Sequence, residues 1–508
     1  MAACIALCAR DPRAPRRRSR ATQPADIDSA RRRTASADAS VMNEVPVAVA
    51  SMIAALAFGP LLLAAAPPVA PVDVLVSGGT VVTMDEHLRV LEGGAVAVRA
   101  GAIDAVLGAG DPWPAAREVI DARGQLVIPG LVNAHGHAPM VLFRGLADDR
   151  PLMEWLQDVI FPAEARVVDR EFCYWGTLLA CLEMARSGTT TFADMYYFED
   201  EIARATERAG LRGVLGQTVI GFPAPDYATP EAALRAAEAF IVRYKDHPRV
   251  VPSVAPHALY TTSLDVVRRA RELSRRHGVP FQLHARESQS EDEIVSAKLG
   301  RTAVAALEQA GLLGPGVLLH HLVTASDDDL RLLARRGVGV SHNPESNMKV
   351  AAGVARVPEM LGAGLAVGLG TDGAASNNNL DLFEEMDTAA KLHKLMRRDP
   401  TVMPAREVFR MATLGGARAL GLDRHIGSLE AGKQADLVLV DVSAPEALPL
   451  YDVYSHLVYA IKGGAVRTVL VGGRVVVRDR RVVTLDEAEV LAHVQEQKQR
   501  ILKALERR

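Results

Sequence analysis

From about residue 127 to residue 423 the chain repeats one unit, a helical stretch followed by a short apolar run, and this alternation constrains the fold more than any other feature. Residues 170–187 read as a helix and lead into Thr189-Thr190-Thr191-Phe192-Ala193-Asp194. Residues 201–209 precede Arg212-Gly213-Val214-Leu215-Gly216, and residues 230–244 precede Val250-Val251-Pro252-Ser253-Val254. Residues 264–277 precede Phe281-Gln282-Leu283-His284. The pattern runs on through Val317-Leu318-Leu319-His320, Val338-Gly339-Val340-Ser341 and Ala366-Val367-Gly368-Leu369-Gly370. With the apolar run before His135, eight strands result. Such regular alternation predicts a (β/α)8 TIM barrel over residues 127–423, with reactive groups at the C-terminal strand ends.

The flanks follow a different grammar. Residues 71–126 alternate short apolar runs with turns, as in Val72-Asp73-Val74-Leu75-Val76 followed by Gly78-Gly79. The same grammar returns within residues 424–485, in Ala435-Asp436-Leu437-Val438-Leu439-Val440 and in the run from Thr468 to Val477. The expectation is one small β-sandwich domain built from both flanks. Residues 486–508 then read as a charged, exposed helix.

Of the 508 residues, 49% are hydrophobic and 23% charged, which supports a sizeable core. Net charge is −3, from 58 basic and 61 acidic residues. No large basic field is available for nucleic acid, so the expected partner is a small molecule. Residues 1–70 stand apart. Nine arginines fall within residues 1–41, including Arg16-Arg17-Arg18 and Arg31-Arg32-Arg33, in a segment too polar to pack. An apolar stretch over residues 47–66 closes on Ala64-Ala65-Ala66 before Pro67-Pro68, the pattern of a secretory signal. It predicts a periplasmic or extracellular protein with no membrane contact once the segment is cleaved. An uncleaved anchor is the competing reading, against which Gly59 and Pro60 interrupt the run; starts at Met42 or Met52 change the segment further. Cys4 and Cys8 lie in this leader, and Cys173 and Cys181 sit eight residues apart on one helix, about 12 Å along its axis. No disulfide is expected.

Several metal-binding residue types fall at the predicted strand ends. His135 and His137 close the first strand, in Pro129-Gly130-Leu131-Val132-Asn133-Ala134-His135-Gly136-His137. Residues i and i+2 of a strand share a face, so both imidazoles aim the same way. His284 ends the fifth strand with Glu287 three residues on, His320-His321 ends the sixth, and Asp372 follows the eighth in Gly370-Thr371-Asp372-Gly373. Singly, each is an ordinary buried histidine or a capping aspartate. Together they make a metal site at the barrel mouth.

These stretches resemble the amidohydrolase superfamily, and within it the branch holding 5-methylthioadenosine/S-adenosylhomocysteine deaminases and chloro-s-triazine hydrolases. Further matching motifs are Pro256-His257-Ala258-Leu259-Tyr260, His284-Ala285-Arg286-Glu287-Ser288 and Ser341-His342-Asn343-Pro344-Glu345-Ser346-Asn347. The run from Gly370 to Asn377 and the closing run from Ile426 to Asp436 also match. The resemblance implies one divalent metal held by His135, His137, His284 and Asp372. Zinc is the expected ion, and iron also suits imidazole ligands. Such a metal lowers the pKa of a bound water from about 16 toward about 7. Glu287 is then implied as the proton shuttle, His321 as the group that polarises the attacked centre, and Asp372 as a second base that orients the water. His321 is chosen over His320 because it keeps the following Asp327-Asp328 in the family's register.

Glu164 resembles the carboxylate that accepts ribose hydroxyls in the nucleoside deaminases, and His257 a substrate-binding histidine. Gln217 stands where some of those enzymes offer an arginine, which puts recognition of a carboxylate-bearing tail in doubt. Trp155 is a candidate pocket wall. The implied activity is hydrolytic deamination of an adenine nucleoside, with a homo-oligomeric state as in related barrels. Hydrolysis of other aminated or chlorinated heterocycles of triazine or guanine type is the rival, and a non-catalytic binding barrel the remote one.

Overall fold

The computed structural model describes residues 70–506. The expected leader and export signal, with Cys4 and Cys8, lie outside the described residues. Strands β1 (Val72–Val82), β2 (Val90–Arg99), β3 (Ala102–Leu107), β4 (Ala116–Asp121) and β5 (Gln125–Pro129) come first. The middle of the chain supplies β6 (Leu131–Asn133), β7 (Thr189–Tyr196), β8 (Arg212–Val219), β9 (Val250–Pro256), β10 (Phe281–Ala285), β11 (Val317–His321), β12 (Gly339–His342) and β13 (Ala366–Leu369). Last come β14 (Leu437–Asp441), β15 (Val466–Val471), β16 (Arg474–Arg478) and β17 (Arg481–Val482).

Strands β6 to β13 pair in sequence order, all parallel, and form the eight-stranded barrel that the alternation predicts. The ring closes where the first strand meets the last: Ala134 N–H donates to Leu369 O at 2.8 Å and Asp372 N–H to His135 O at 3.0 Å. Across the same seam Asn133 Nδ2 donates to Thr371 Oγ1 at 2.7 Å, joining residues 238 positions apart. Gly370 permits the approach, because a Cβ there would sit 2.4 Å from Asn343 Oδ1 and 2.9 Å from His135 Cβ.

Outer helices are started by polar side chains in the loops that precede them. Thr229, Ser263, Ser288 and Thr302 each accept a backbone N–H of the following first turn. Ser326 does so within a reciprocal capping box with Asp329. Cys173 and Cys181 lie free and buried on the helix Arg170–Arg186.

The two flanks hydrogen-bond into one nine-stranded sheet, in which β5 from the N-terminal flank pairs antiparallel with β14 from the C-terminal one. This sheet packs on its own cluster, including Val76, Val96, Ile103, Leu437 and Leu439.

The last helix, Glu487–Glu506, departs from expectation. It was expected to be exposed, but it docks on the helix Arg170–Arg186 with Val490, Gln497 and Ile501 buried and His493 stacked on Trp175 at 3.7 Å between ring centroids. Arg186 meets Glu487 at 2.7 Å, and Arg208 pairs with Glu489. Its inner stripe runs through Val490, Val494, Gln497 and Ile501 at spacings of four, three and four, diluted by charges on the outer face. Among the described residues, no helix is long and apolar enough to cross a membrane.

Candidate metal and substrate site

The C-terminal ends of the barrel strands converge on one cavity lined by His137, His257, His284, Glu164, Glu287 and Asp372. Possible ligand atoms of His135, His137 and His284 all lie within 4.8 Å of one another, as do those of His135, His321 and Asp372. Asp372 Oδ1 stands 3.3 Å from Nε2 of both His135 and His137. It reaches them from a left-handed backbone conformation, φ +60°, that aspartate tolerates better than most residues. Its other oxygen accepts from Ser346 Oγ at 2.7 Å and Ser376 Oγ at 3.2 Å.

Outer contacts fix which ring nitrogen faces inward. His137 donates from Nδ1 to Met195 O at 2.7 Å, and His284 from Nδ1 to His257 O at 2.9 Å. Each therefore turns an Nε2 lone pair to the centre, the usual arrangement for metal-binding imidazoles. Among the described residues, neither ring nitrogen of the fully buried His135 has a hydrogen-bond partner, and Nε2 of His321 lacks one too. Buried imidazoles without partners are costly, and a cation among them removes that cost. The donor set of imidazoles and one carboxylate suits a divalent transition metal.

Electrostatics agree. Burial lowers the pKa of His135 to about 3, against the pull of Asp372. Burial also acts against a charge on His137, but the nearby carboxylates of Asp372 and Asp194 outweigh it and push it up to about 9. Asp372 is held well below the usual carboxylate range by His135 and His137 despite its burial. With no cation, a proton on His137 balances the carboxylate; a metal ion replaces that proton.

Glu287 sits on the cavity wall with Oε1 3.9 Å from His321 Nε2. Burial raises its pKa, partly opposed by His321. His321 itself donates from Nδ1 to Asn347 Oδ1 at 2.8 Å. The two adjacent histidines point to different surroundings. His320 lies beneath the site, stacked on His135 at 3.8 Å and bound through Nδ1 to Ser341 Oγ. A φ of +71° at His321 turns the chain so that its ring reaches Glu287.

Glu164 lines the opposite part of the cavity, where Tyr196 Oη donates to it at 2.6 Å and Tyr197 Oη at 3.3 Å. Burial pushes its pKa up to about 7 against those hydrogen bonds. His257 also lines it, its Nδ1 2.9 Å from Thr261 Oγ1, and burial lowers it to about 3. Trp155 forms an apolar wall with Met140, Leu152, Leu156 and Phe161.

Gln217 is not on the cavity. Its amide Nε2 donates to Asp226 Oδ2 at 2.8 Å and to Thr218 O at 3.1 Å. The reason is strand alternation: a Cβ on Gly216 would meet Ser253 Oγ and Gln282 Nε2 inside the barrel, so Gly216 and Thr218 face inward and Gln217 outward. Thr218 lines the cavity, as does Tyr260. Sequence reasoning missed both; the period-two pattern of β8 was the signal for Thr218. Ser346 and Ser376, which brace Asp372, carried no signal beyond lying in matching motifs.

The amidohydrolase family profile matches residues 126–476. A 5-methylthioadenosine/S-adenosylhomocysteine deaminase of Syntrophobacter fumaroxidans is 51% identical over 83% of this chain and 97% of its own. A 5′-deoxyadenosine deaminase of Methanosarcina mazei is 44% identical over 83% of this chain and 97% of its own. A solved adenosine deaminase from Xanthomonas campestris with bound zinc superposes with a TM-score of 0.84 and 40% identity, covering 86% of this chain and all of that one. Atrazine chlorohydrolase of Arthrobacter aurescens, complexed with zinc, shares the fold at a TM-score of 0.78 and 24% identity, covering 84% of this chain and 100% of that one. With the barrel, the mouth histidines and this breadth of similarity in hand, the chain belongs to the amidohydrolase family.

Proposed function

We propose that the protein hydrolytically deaminates an adenine nucleoside of the 5-methylthioadenosine, S-adenosylhomocysteine, 5′-deoxyadenosine or adenosine type, releasing ammonia. The observation that carries this reading is the placement of Glu287, His137, His284, Asp372 and Glu164 on the wall of one cavity. Relatives named for deamination of such nucleosides, at 44–51% identity, support it.

His135, His137, His284 and Asp372 would hold one divalent ion, with zinc favoured by the zinc-bound adenosine deaminase and iron left open by the ligand chemistry. Bound there, the ion supplies acidified water and polarises the attacked centre. The protein's own groups do the rest. Glu287, kept able to hold a proton by burial, takes one from the attacking water and delivers it to the ring nitrogen. As that proton moves, the water oxygen bonds to the amino-bearing ring carbon; the remaining hydroxyl proton then passes through Glu287 to the amine, the C–N bond breaks, and ammonia leaves a ring carbonyl behind. Asp372, fixed by Ser346 and Ser376, orients the water. His321, held by Asn347, stabilises negative charge at the attacked centre. Glu164 and His257 anchor the sugar, and Trp155 walls the ring.

Ammonia release from a panel of adenosine, 5′-deoxyadenosine, 5-methylthioadenosine, S-adenosylhomocysteine, guanine and a chlorinated triazine tests the reading. Release from the adenosines is expected. Silence there, with turnover of the triazine or guanine, assigns the site to the rival chemistry.

A further inference from the structure

Two polar groups on the cavity wall are not used by the protein itself. Glu164, His257 and Ser376 are each tied to neighbouring side chains. Thr218 Oγ1 and Tyr260 Oη, in contrast, are buried with no hydrogen-bond partner among the described residues. Both residues line the cavity. They also share one side of it. Thr218 lies on the inward face of β8, in register with Ala255 of β9, and Tyr260 follows β9 with its ring 5.7 Å from that of His257. A buried hydroxyl without a partner destabilises a fold, and Val or Phe would fill the same space without that cost. Retaining two such groups at one cavity wall is explained by a ligand that completes them.

We infer that Thr218 and Tyr260 bind substrate, their hydroxyls hydrogen-bonding the sugar oxygens or ring nitrogens of the nucleoside. This rests on the proposed deaminase reading. It deepens that reading by assigning specificity to two neutral donors on the β8–β9 side of the site.

Tyr260→Phe and Thr218→Val test it in the metal-loaded enzyme. Each variant is expected to keep wild-type metal content, to hold or raise Tm, and to lose about tenfold or more in kcat/KM, the effect of one hydrogen bond to substrate. Assay of 2′-deoxy, 3′-deoxy, 5′-deoxy and ring-deaza analogues then locates the contact, because the deficit disappears for the analogue lacking the contacted atom. Wild-type kcat/KM in both variants overturns the inference and leaves the hydroxyls to bound water. The two failures are separable: wild-type turnover of the nucleosides decides the deaminase reading, and the variant-to-wild-type ratio decides the role of the hydroxyls. If the wild type turns over only a triazine or guanine, the same ratio is read on that substrate. Silence on the whole panel removes both.

Discussion

Glu287 occupies a position where one atom pair decides function. Glu287→Gln preserves the shape of the cavity wall and removes the carried proton, so turnover is expected to fall by about 10²- to 10⁴-fold while nucleoside binding persists. Single-turnover kinetics beside equilibrium binding checks the split, and equal loss of binding and turnover contradicts the assigned role. Ser346 and Ser376 act one contact further out, on the far oxygen of Asp372. Ser346→Ala is expected to weaken metal affinity by about ten- to a hundredfold with the fold intact, measured by competition with a chelator. At this scale the sequence was legible wherever a residue's chemistry is rare. Four separated positions carrying His or Asp at strand ends leave few alternatives. It was opaque where identity is common and direction decides. Gln217 and Thr218 are neighbours, and only the pleat says which one sees the cavity.

Elements were read from periodicity, and they came out well where one period dominates. The helices Pro230–Tyr244 and Leu264–His277 begin and end where the sequence places them, since capping side chains mark their starts. The helix Glu487–Glu506 misled because half its surface is charged, and those charges pair with the barrel: Arg500 meets Asp169, and Arg208 meets Glu489. Its docking makes a prediction. Ile501 is buried, so Ile501→Ala is expected to cost about 2–5 kcal/mol of stability by denaturant unfolding while leaving KM unchanged. An effect below about 0.5 kcal/mol would mean that the helix adds no packing to the barrel.

The whole molecule carries charge preferences that no single motif states. Among the described residues no lysine or arginine lines the cavity, whereas Glu164, Glu287 and Asp372 do. The carboxylate of S-adenosylhomocysteine finds no lysine or arginine to pair with there, so kcat/KM is expected to favour 5-methylthioadenosine or 5′-deoxyadenosine by about tenfold or more. Equal values for the three substrates would contradict this. Stability also depends on pH through a buried pair, His342 and His393, whose Nε2 atoms lie 3.2 Å apart. Burial, with Arg397 nearby, lowers His393 from 6.5 to about 4. Above pH 6.5 the ring is neutral in both folded and unfolded chains and contributes nothing to the slope. Between 6.5 and about 4 the unfolded chain binds a proton that the folded one refuses, so stability falls with falling pH, by about 3 kcal/mol at most. His393→Gln is expected to lessen that slope by the share of one group in unfolding measured from pH 7 to 4, the rest coming from other buried histidines such as His135 and His257.

The seam of the barrel gives the proposed metal site a second meaning. His135 stands just past the first barrel strand and Asp372 just past the last, beside the bridge from Asn133 to Thr371. An ion held by both works as a buckle on a belt, fastening two ends of the ring that the chain itself joins only through the whole length of the barrel. Chelation should therefore loosen the molecule at one line instead of everywhere. Amide exchange is expected to quicken first in β6 and β13, ahead of β8 and β9 on the far side, and metal content would report how firmly the barrel is shut.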